Sequence, residues 1–426
     1  MLNINNDYVK QHLLDGNFGL EKESLRVTED GSFAHTKHPF PDDENIVKDF
    51  CENQVEINTG VHDNIEDTVR ELYYHNTRVL KRLYERPGKE YLWCFSNPPA
   101  IKNEDDIPIA IFEGSMVSKA AYRKYLSDKY GRYKMAFSGI HFNFSFSEEL
   151  LKEDYRSQDH TCSFREYKDT LYLTLAERMA AYSWLIVCIT AASPVMDSSC
   201  VEKGVYGKDF FAGMSSVRCS EMGYWNEFAP IFDYSDIENY AGSIQRYVDR
   251  GFLKAPSELY YPIRLKPKGE NNLDTLRQSG VNHIELRMFD LNPLLPEGID
   301  ERDLKFAHLM MVWLSATPRQ AFADMDQVQA VANFKNAARY DLKTVKILTP
   351  GAENFTVADA ALKVLGFMQE FFDSVDLGRD VKEILAFERS KFTDPNNRYS
   401  WQIRSKYSNS FAEKALQLSK ERSRSL

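Results

Sequence analysis

Three stretches of this chain alternate apolar and polar residues with a period of two. Each must therefore lie as a strand with one face on a core and the other turned elsewhere. In the run from Gly19 to Val27, Glu21 and Glu23 share a face while Leu20 points the opposite way. In the run from Ser138 to Ser145, Ile140, Phe142 and Phe144 form the apolar side, continued by Phe146, and His141, Asn143 and Ser145 form the polar side. In His283 to Arg287, Glu285 and Arg287 point together and Ile284 and Leu286 face the core. A fourth stretch, Asp49 to Glu56, adds two more carboxylates seven positions apart. An uninterrupted strand would put those two on opposite faces, so a bulge or turn is required between them.

The remainder of the chain bounds what such strands can belong to. With 426 residues, 43% of them hydrophobic, there is enough apolar surface for one large domain or two intimately packed ones. Acidic residues outnumber basic ones 63 to 53, which leaves no basic footprint for nucleic acid. The six cysteines (51, 94, 162, 188, 200, 219) show no CxxC pair and no zinc-type spacing. The N-terminus lacks an apolar signal region, and a reducing cytoplasm is the expected setting. The longest uncharged run, Met179 to Ala192, ends at Ser193-Pro194 after fourteen residues. A membrane span needs roughly 20, so this run reads as a buried helix and no membrane association is expected.

No repeat or low-complexity linker divides the chain, and residues 1–426 are expected to form one unit. The pattern predicts a short helix over 6–14, strands near 17–28 and 45–58, helices over 64–85 and 109–129, and a strand over 133–147. A long helix over 163–192, a helix over 237–248 and strands at 258–266 and 281–290 follow, with a mainly helical part from about 300. Early and middle strands followed by helices predict an α+β architecture with an antiparallel or mixed sheet. The polar segment Lys266 to Asn272 reads either as a lid or as a solvated hairpin loop.

Glu21, Glu23, Asp49, Glu56 and Glu285 would bring five negative charges to one place if the polar faces converge. Crowded carboxylates raise one another's pKa, and hard divalent cations neutralise them; His141 could complete such a set. Arg287 beside Glu285 suits a group that steadies a transferring phosphoryl, although an Arg–Glu pair across strands is also an ordinary structural feature. No phosphate loop is present, since Gly204 to Lys208 lacks the spacing and the following Ser or Thr. Any nucleotide would therefore be held by metals and arginines.

The blocks FGLEKESLRV, DFCENQVEI, AYRKYL, SGIHFNFS, SSVRCSEMGY, and ELYYPIRLK followed by IELRMFDLNPLLPEGID occur in an order and spacing that resemble bacterial glutamate-cysteine ligases. The resemblance runs from about residue 15 to about residue 315. It implies a fold related to glutamine synthetase, with a curved, mainly antiparallel sheet around a metal-nucleotide cavity. It also implies ATP-dependent joining of the γ-carboxyl of glutamate to the amine of cysteine, with roughly two or three Mg2+ ions. By that resemblance the magnesium ligands fall on Glu21, Glu23, Asp49, Glu56, His141 and Glu285, and the phosphate-stabilising arginine on Arg287. Arg218 and Arg123 match substrate-binding arginines, and Phe50, Tyr122, Leu126, Tyr224 and Tyr260 match positions lining the cysteine pocket.

Two departures from the family pattern are Lys22, where better-known members carry arginine, and Met135, where they carry a polar pocket residue. The second leaves open a γ-glutamyl ligase with another amine acceptor. A non-catalytic, ligase-like regulatory protein is the other alternative. A glutamine synthetase is disfavoured, because ammonia needs no apolar side-chain pocket. The residues after about 315 are expected to pack as helices on the ligase domain, acting as a monomer, with the reaction stopping at the dipeptide.

Overall fold

A computed structural model describes residues 1–111, 117–320, 322–349 and 353–425. Eleven strands are present among them: β1 (Gly16–Val27), β2 (Ile46–Lys48), β3 (Gln54–Asn58), β4 (Tyr91–Leu92), β5 (Gly139–Phe146), β6 (Met196–Asp197), β7 (Asp209–Phe210), β8 (Ile263–Lys266), β9 (His283–Asp290), β10 (Lys346–Thr349) and β11 (Glu353–Thr356). The main sheet runs β2-β3-β1-β5-β9-β8, with β4 pairing the end of β1, and every pairing in it is antiparallel. This is the α+β architecture expected from the sequence.

The alternation in the three signature stretches decides which face meets the core. Leu20, Ile140, Phe142, Phe144, Ile284 and Leu286 are all buried in one large apolar cluster. A fully buried side chain of this kind contributes about 1.5–3 kcal/mol, so the register of β1, β5 and β9 is fixed by their apolar sides. The helix Phe164–Thr190 packs against β8 and β9. Ser163 caps it in a capping box with Glu166. It is long and apolar enough to cross a membrane, yet 89% of its most apolar window is buried inside the molecule.

The C-terminal helices Tyr399–Tyr407 and Phe411–Arg424 return to the N-terminal half. Tyr407 meets Phe95 edge-on at 5.1 Å and Phe411 meets Trp93 at 6.2 Å, in a second cluster with Leu25, Val27 and Tyr91. All six cysteines are free.

Several expected boundaries differ. The helix expected over 109–129 is found at Val117–Tyr130; residues 112–116 lie outside the described residues, and Ile109 instead bridges to Cys51. The strand expected from 133 begins only at Gly139, because Arg132–Met135 forms a helical turn. Residues 266–272 do not make a hairpin loop. They lead into a helix, Leu273–Ser279, whose first turn is capped by Asn272 and which ends at Gly280 with φ 73°. The helical C-terminal part also contains the β10–β11 hairpin.

Candidate active site

The sheet order places the polar faces of β3, β1, β5 and β9 side by side. Glu23 lies opposite Glu56, Glu21 opposite His141, and Asn143 opposite Glu285. Asp49 reaches the same face because the chain turns between β2 and β3. Gln54 N donates to Cys51 O at 3.0 Å inside that turn, which resolves the seven-residue spacing. The β5–β9 register shifts between Ile140 and Phe142, so Arg287 and Met288 together oppose His141. Such a bulge re-aims the side chains around it.

All fourteen residues singled out from the sequence line one cavity of about 1070 Å³: Glu21, Glu23, Asp49, Phe50, Glu56, Tyr122, Arg123, Leu126, His141, Arg218, Tyr224, Tyr260, Glu285 and Arg287. At its centre, ligand atoms of Glu21, His141 and Glu285 all lie within 4.8 Å of one another. His141 Nδ1 is 2.9 Å from Glu21 Oε2 and 3.6 Å from Glu285 Oε1, and its Nε2 is 3.6 Å from Glu23 Oε1. Arg287 Nη1 donates to Glu285 Oε1 at 2.8 Å, and Lys266 Nζ lies 3.4 Å from Glu285 Oε2.

Charge is distributed unevenly in this cluster. Burial would raise the Glu285 carboxyl, but Arg287, Lys266 and His141 outweigh it and hold the group well below the ordinary range. Burial and the charge of Glu285 act upward on Glu21, and the His141 hydrogen bond and charge bring it below its usual value. For Glu56, burial, then Asp49, Glu21 and Glu23, outweigh a hydrogen bond with Asn58 and push it well above 4.5. Burial also raises Glu23, with Asp49 adding to the rise. A buried cluster in which two carboxylates are pushed upward by burial and by like charges fits a hard divalent metal ion.

The flanks are built differently. Arg218 lies over the backbone of β5, donating to Arg287 O at 2.9 Å and Phe289 O at 3.3 Å. A Cβ on residue 139 would sit 2.1 Å from Arg218 Cζ, so only glycine permits this approach. Arg123 donates to Asp49 Oδ1 at 3.1 Å, which ties the helix Val117–Tyr130 to the carboxylate cluster. The same helix carries Tyr122 and Leu126 across from Tyr224 and Tyr260, whose ring centroids are 3.7 Å apart. The Tyr260 hydroxyl is buried beside the Tyr224 ring. Met135 lines the same cavity. Lys22, between the two β1 carboxylates, points to the opposite face, where it donates to Asn76 Oδ1 at 2.8 Å and burial lowers it to about 8.

Sequence reasoning missed Lys266 and Arg264, which also line the cavity. Their alternation in ELYYPIRLK was the available signal: Arg264 pairs with Glu285 in register. Asn143, which donates to Glu21 Oε1 at 3.0 Å, was visible as a polar-face residue but carried no assigned role.

The sequence model for glutamate-cysteine ligase matches residues 1–337. The chain belongs to the glutamate-cysteine ligase family. It is 32% identical over 411 residues to the glutathione biosynthesis bifunctional protein GshAB of Clostridium perfringens, covering 93% of this chain and 52% of that protein. With GshAB of Listeria innocua it shares 34% identity over 413 residues, covering 93% and 53%. The chain thus spans about half the length of the curated relatives it matches. Among solved structures, a bifunctional glutathione synthetase from Pasteurella multocida superposes with a TM-score of 0.84 at 27% identity, covering 99% of this chain and 54% of that one. The glutamate–cysteine ligase of Francisella tularensis, solved in complex with AMP, shares the fold with a TM-score of 0.85 at 22% identity, over 96% of this chain and 89% of that one.

Proposed function

We propose that this chain joins the γ-carboxylate of L-glutamate to the amine of L-cysteine at the expense of ATP, releasing ADP and phosphate. The observation that carries the proposal is the juxtaposition of Glu21, His141 and Glu285 with Arg287 at the centre of a cavity whose flank is a tyrosine-lined pocket. A glutamate carboxylate oxygen attacks the γ-phosphorus and ADP departs, giving an acyl phosphate. The amine nitrogen then attacks the acyl carbon, loses a proton, and phosphate leaves. No enzyme nucleophile is required. Cys51 accordingly stays a packed residue, its thiol pushed upward by burial and by Asp49.

Glu21, Glu23, Asp49, Glu56, His141 and Glu285 would hold magnesium, which supplies charge neutralisation for the phosphates when bound. Arg287, fixed by Glu285, offsets the charge that develops on the transferring group. Arg218, braced on the β9 carbonyls, presents its guanidinium to a substrate carboxylate. Arg123 does the same from the opposite wall, and Tyr122, Tyr224, Tyr260, Phe50 and Leu126 enclose the small acceptor side chain. Met135 in that wall favours a second reading, in which another small amine is the acceptor.

The test is ADP release with glutamate against a panel of amines. Cysteine is expected first, with L-2-aminobutyrate a workable substitute, since such a pocket discriminates by only about 1–3 kcal/mol per methylene-sized change. Preference for ammonia or a long polyamine would overturn the cysteine assignment.

A further inference from the structure

Glu258 is fully buried at the end of the short turn Pro256–Glu258, with no role assigned to it above, and its carboxylate is bonded on both oxygens. Oε1 accepts from Lys129 Nζ at 2.6 Å, Tyr130 Oη at 2.7 Å and Tyr125 Oη at 3.3 Å; Oε2 accepts from Lys254 N at 2.6 Å. Three of these four donors lie on the helix Val117–Tyr130, the helix that carries Tyr122, Arg123 and Leu126. Ser257, next to it, donates to Tyr122 Oη at 3.1 Å. Asn226 closes the other side: its Nδ2 donates to Tyr130 Oη and to the Glu258 carbonyl, each at 3.0 Å, and its Oδ1 accepts from Tyr260 N at 2.7 Å. The Tyr130 ring in turn meets Tyr260 edge-on at 5.4 Å and Tyr224 at 6.4 Å.

Glu258 therefore joins the two walls of the tyrosine-lined pocket from behind, the helix wall through its carboxylate and the opposite wall through Asn226, which bonds both the Glu258 main-chain carbonyl and Tyr130. The helix wall is fixed through Lys129, Tyr125 and Tyr130, and the opposite wall through Asn226 and Tyr260. We infer that Glu258 is a positioning residue for the amine acceptor, setting the separation of the Tyr122–Leu126 wall from the Tyr224–Tyr260 wall without touching substrate. The inference rests on the reading of this pocket as the acceptor site. Hydrogen bonds to a buried charge are among the stronger ones, and their loss is felt by whatever they hold in place. Glu21, Glu23, His141, Glu285 and Arg287 are anchored elsewhere, on β1, β5 and β9, and the helix reaches their cluster only through the Arg123–Asp49 pair, so the larger effect falls on the acceptor.

The experiment compares Glu258→Ala, Glu258→Gln and Tyr130→Phe with the unaltered protein, measuring kcat and KM for ATP, glutamate and cysteine separately. Calorimetric binding of L-2-aminobutyrate and of ADP with magnesium is measured in parallel. Glu258→Ala is expected to raise the acceptor KM about tenfold or more, and its Kd equally, with the ATP, glutamate and ADP constants within about twofold. Tyr130→Phe, which keeps the ring and removes one hydroxyl, should show the same selectivity at smaller size, and Glu258→Gln should recover most of the loss. Should Glu258→Ala not fold, Tyr130→Phe and Glu258→Gln carry the test. Equal losses for all substrates, or an unchanged acceptor constant, would overturn the inference. Failure of the unaltered protein to turn over any amine counts against the ligase reading, and the binding data then decide separately: selective weakening of the acceptor supports the role of Glu258, while uniform weakening or no acceptor binding removes it.

Discussion

Two clusters of buried charge sit in different parts of this molecule and are built on different arithmetic. In the C-terminal half, Lys391 lies between Asp303 and Glu388 at 2.6 Å and 2.8 Å, all three side chains almost wholly buried. Lys391 also donates to Ile189 O at 3.4 Å, at the end of the long core helix, and Tyr399 Oη donates to Asp303 at 3.3 Å. Burial keeps Glu388 well above the ordinary carboxylate range, against the pull of Lys391. This cluster is closed on itself. The β1–β5–β9 cluster faces a cavity instead, with Glu56 and Glu23 held up by burial and by like charges, in Glu23 against the nearby charge of His141. A closed cluster joins helices; an open one that faces a cavity can take up cations from solution.

The sharpest way to break that contrast is to remove one central charge from each, the cation of the closed cluster and a carboxylate of the open one. Lys391→Met leaves two buried acids facing each other and is expected to cost about 3–5 kcal/mol of stability, read by denaturant unfolding, with kcat of the folded fraction little changed. Glu285→Gln also breaks a buried pair, with Arg287, but its larger effect should be on turnover. Activity of the folded variant should fall about a hundredfold or more at saturating magnesium. Near-native turnover in Glu285→Gln would remove Glu285 from the catalytic centre.

A smaller effect separates the two arginines. Arg287→Ala should lower mainly kcat, because its charge meets the phosphoryl group as it transfers, whereas Arg218→Ala should raise mainly the KM of an amino-acid substrate, each by about tenfold or more. The same kinetic signature from both would show that the division of roles is wrong.

The smallest effect is in the pH dependence of stability. Glu56 has a folded-state pKa above its unfolded 4.5, so the folded protein binds the extra proton. The stability this contributes is fully present below 4.5 and is lost as pH rises through the higher folded value. In chelator, Glu56→Gln should therefore raise the melting temperature at pH 8, on the order of 2 °C, and should do nothing at pH 4. Magnesium should raise the unaltered protein's midpoint more than the variant's. An equal shift by magnesium in both would place Glu56 outside the metal site.

How far these features could be read from the sequence depended on how local their causes are. The faces of β1, β5 and β9 follow from a period of two, and Asp49 and Glu56 demanded the turn that is found between β2 and β3. The helical turn at Arg132–Met135 was hidden because Met135-Ala136-Phe137 extends the apolar run of the following strand. The helix Leu273–Ser279 had its signals in Asn272 and Gly280, but at seven residues it is too short for periodicity to show. Glu258 opens the block ELYYPIRLK, but its role could not be read there, because its partners Lys129 and Tyr130 stand 129 and 128 positions away.

The central claim is that the open cluster and the tyrosine pocket serve one ATP-dependent ligation. The most direct measurement is mass-spectrometric quantitation of products after the purified chain is incubated with glutamate, cysteine, ATP and magnesium. γ-Glutamylcysteine and ADP appearing in equal amounts, and neither in chelator, is the predicted result. ADP release without dipeptide, or dipeptide formed at the same rate without a divalent metal, would contradict it.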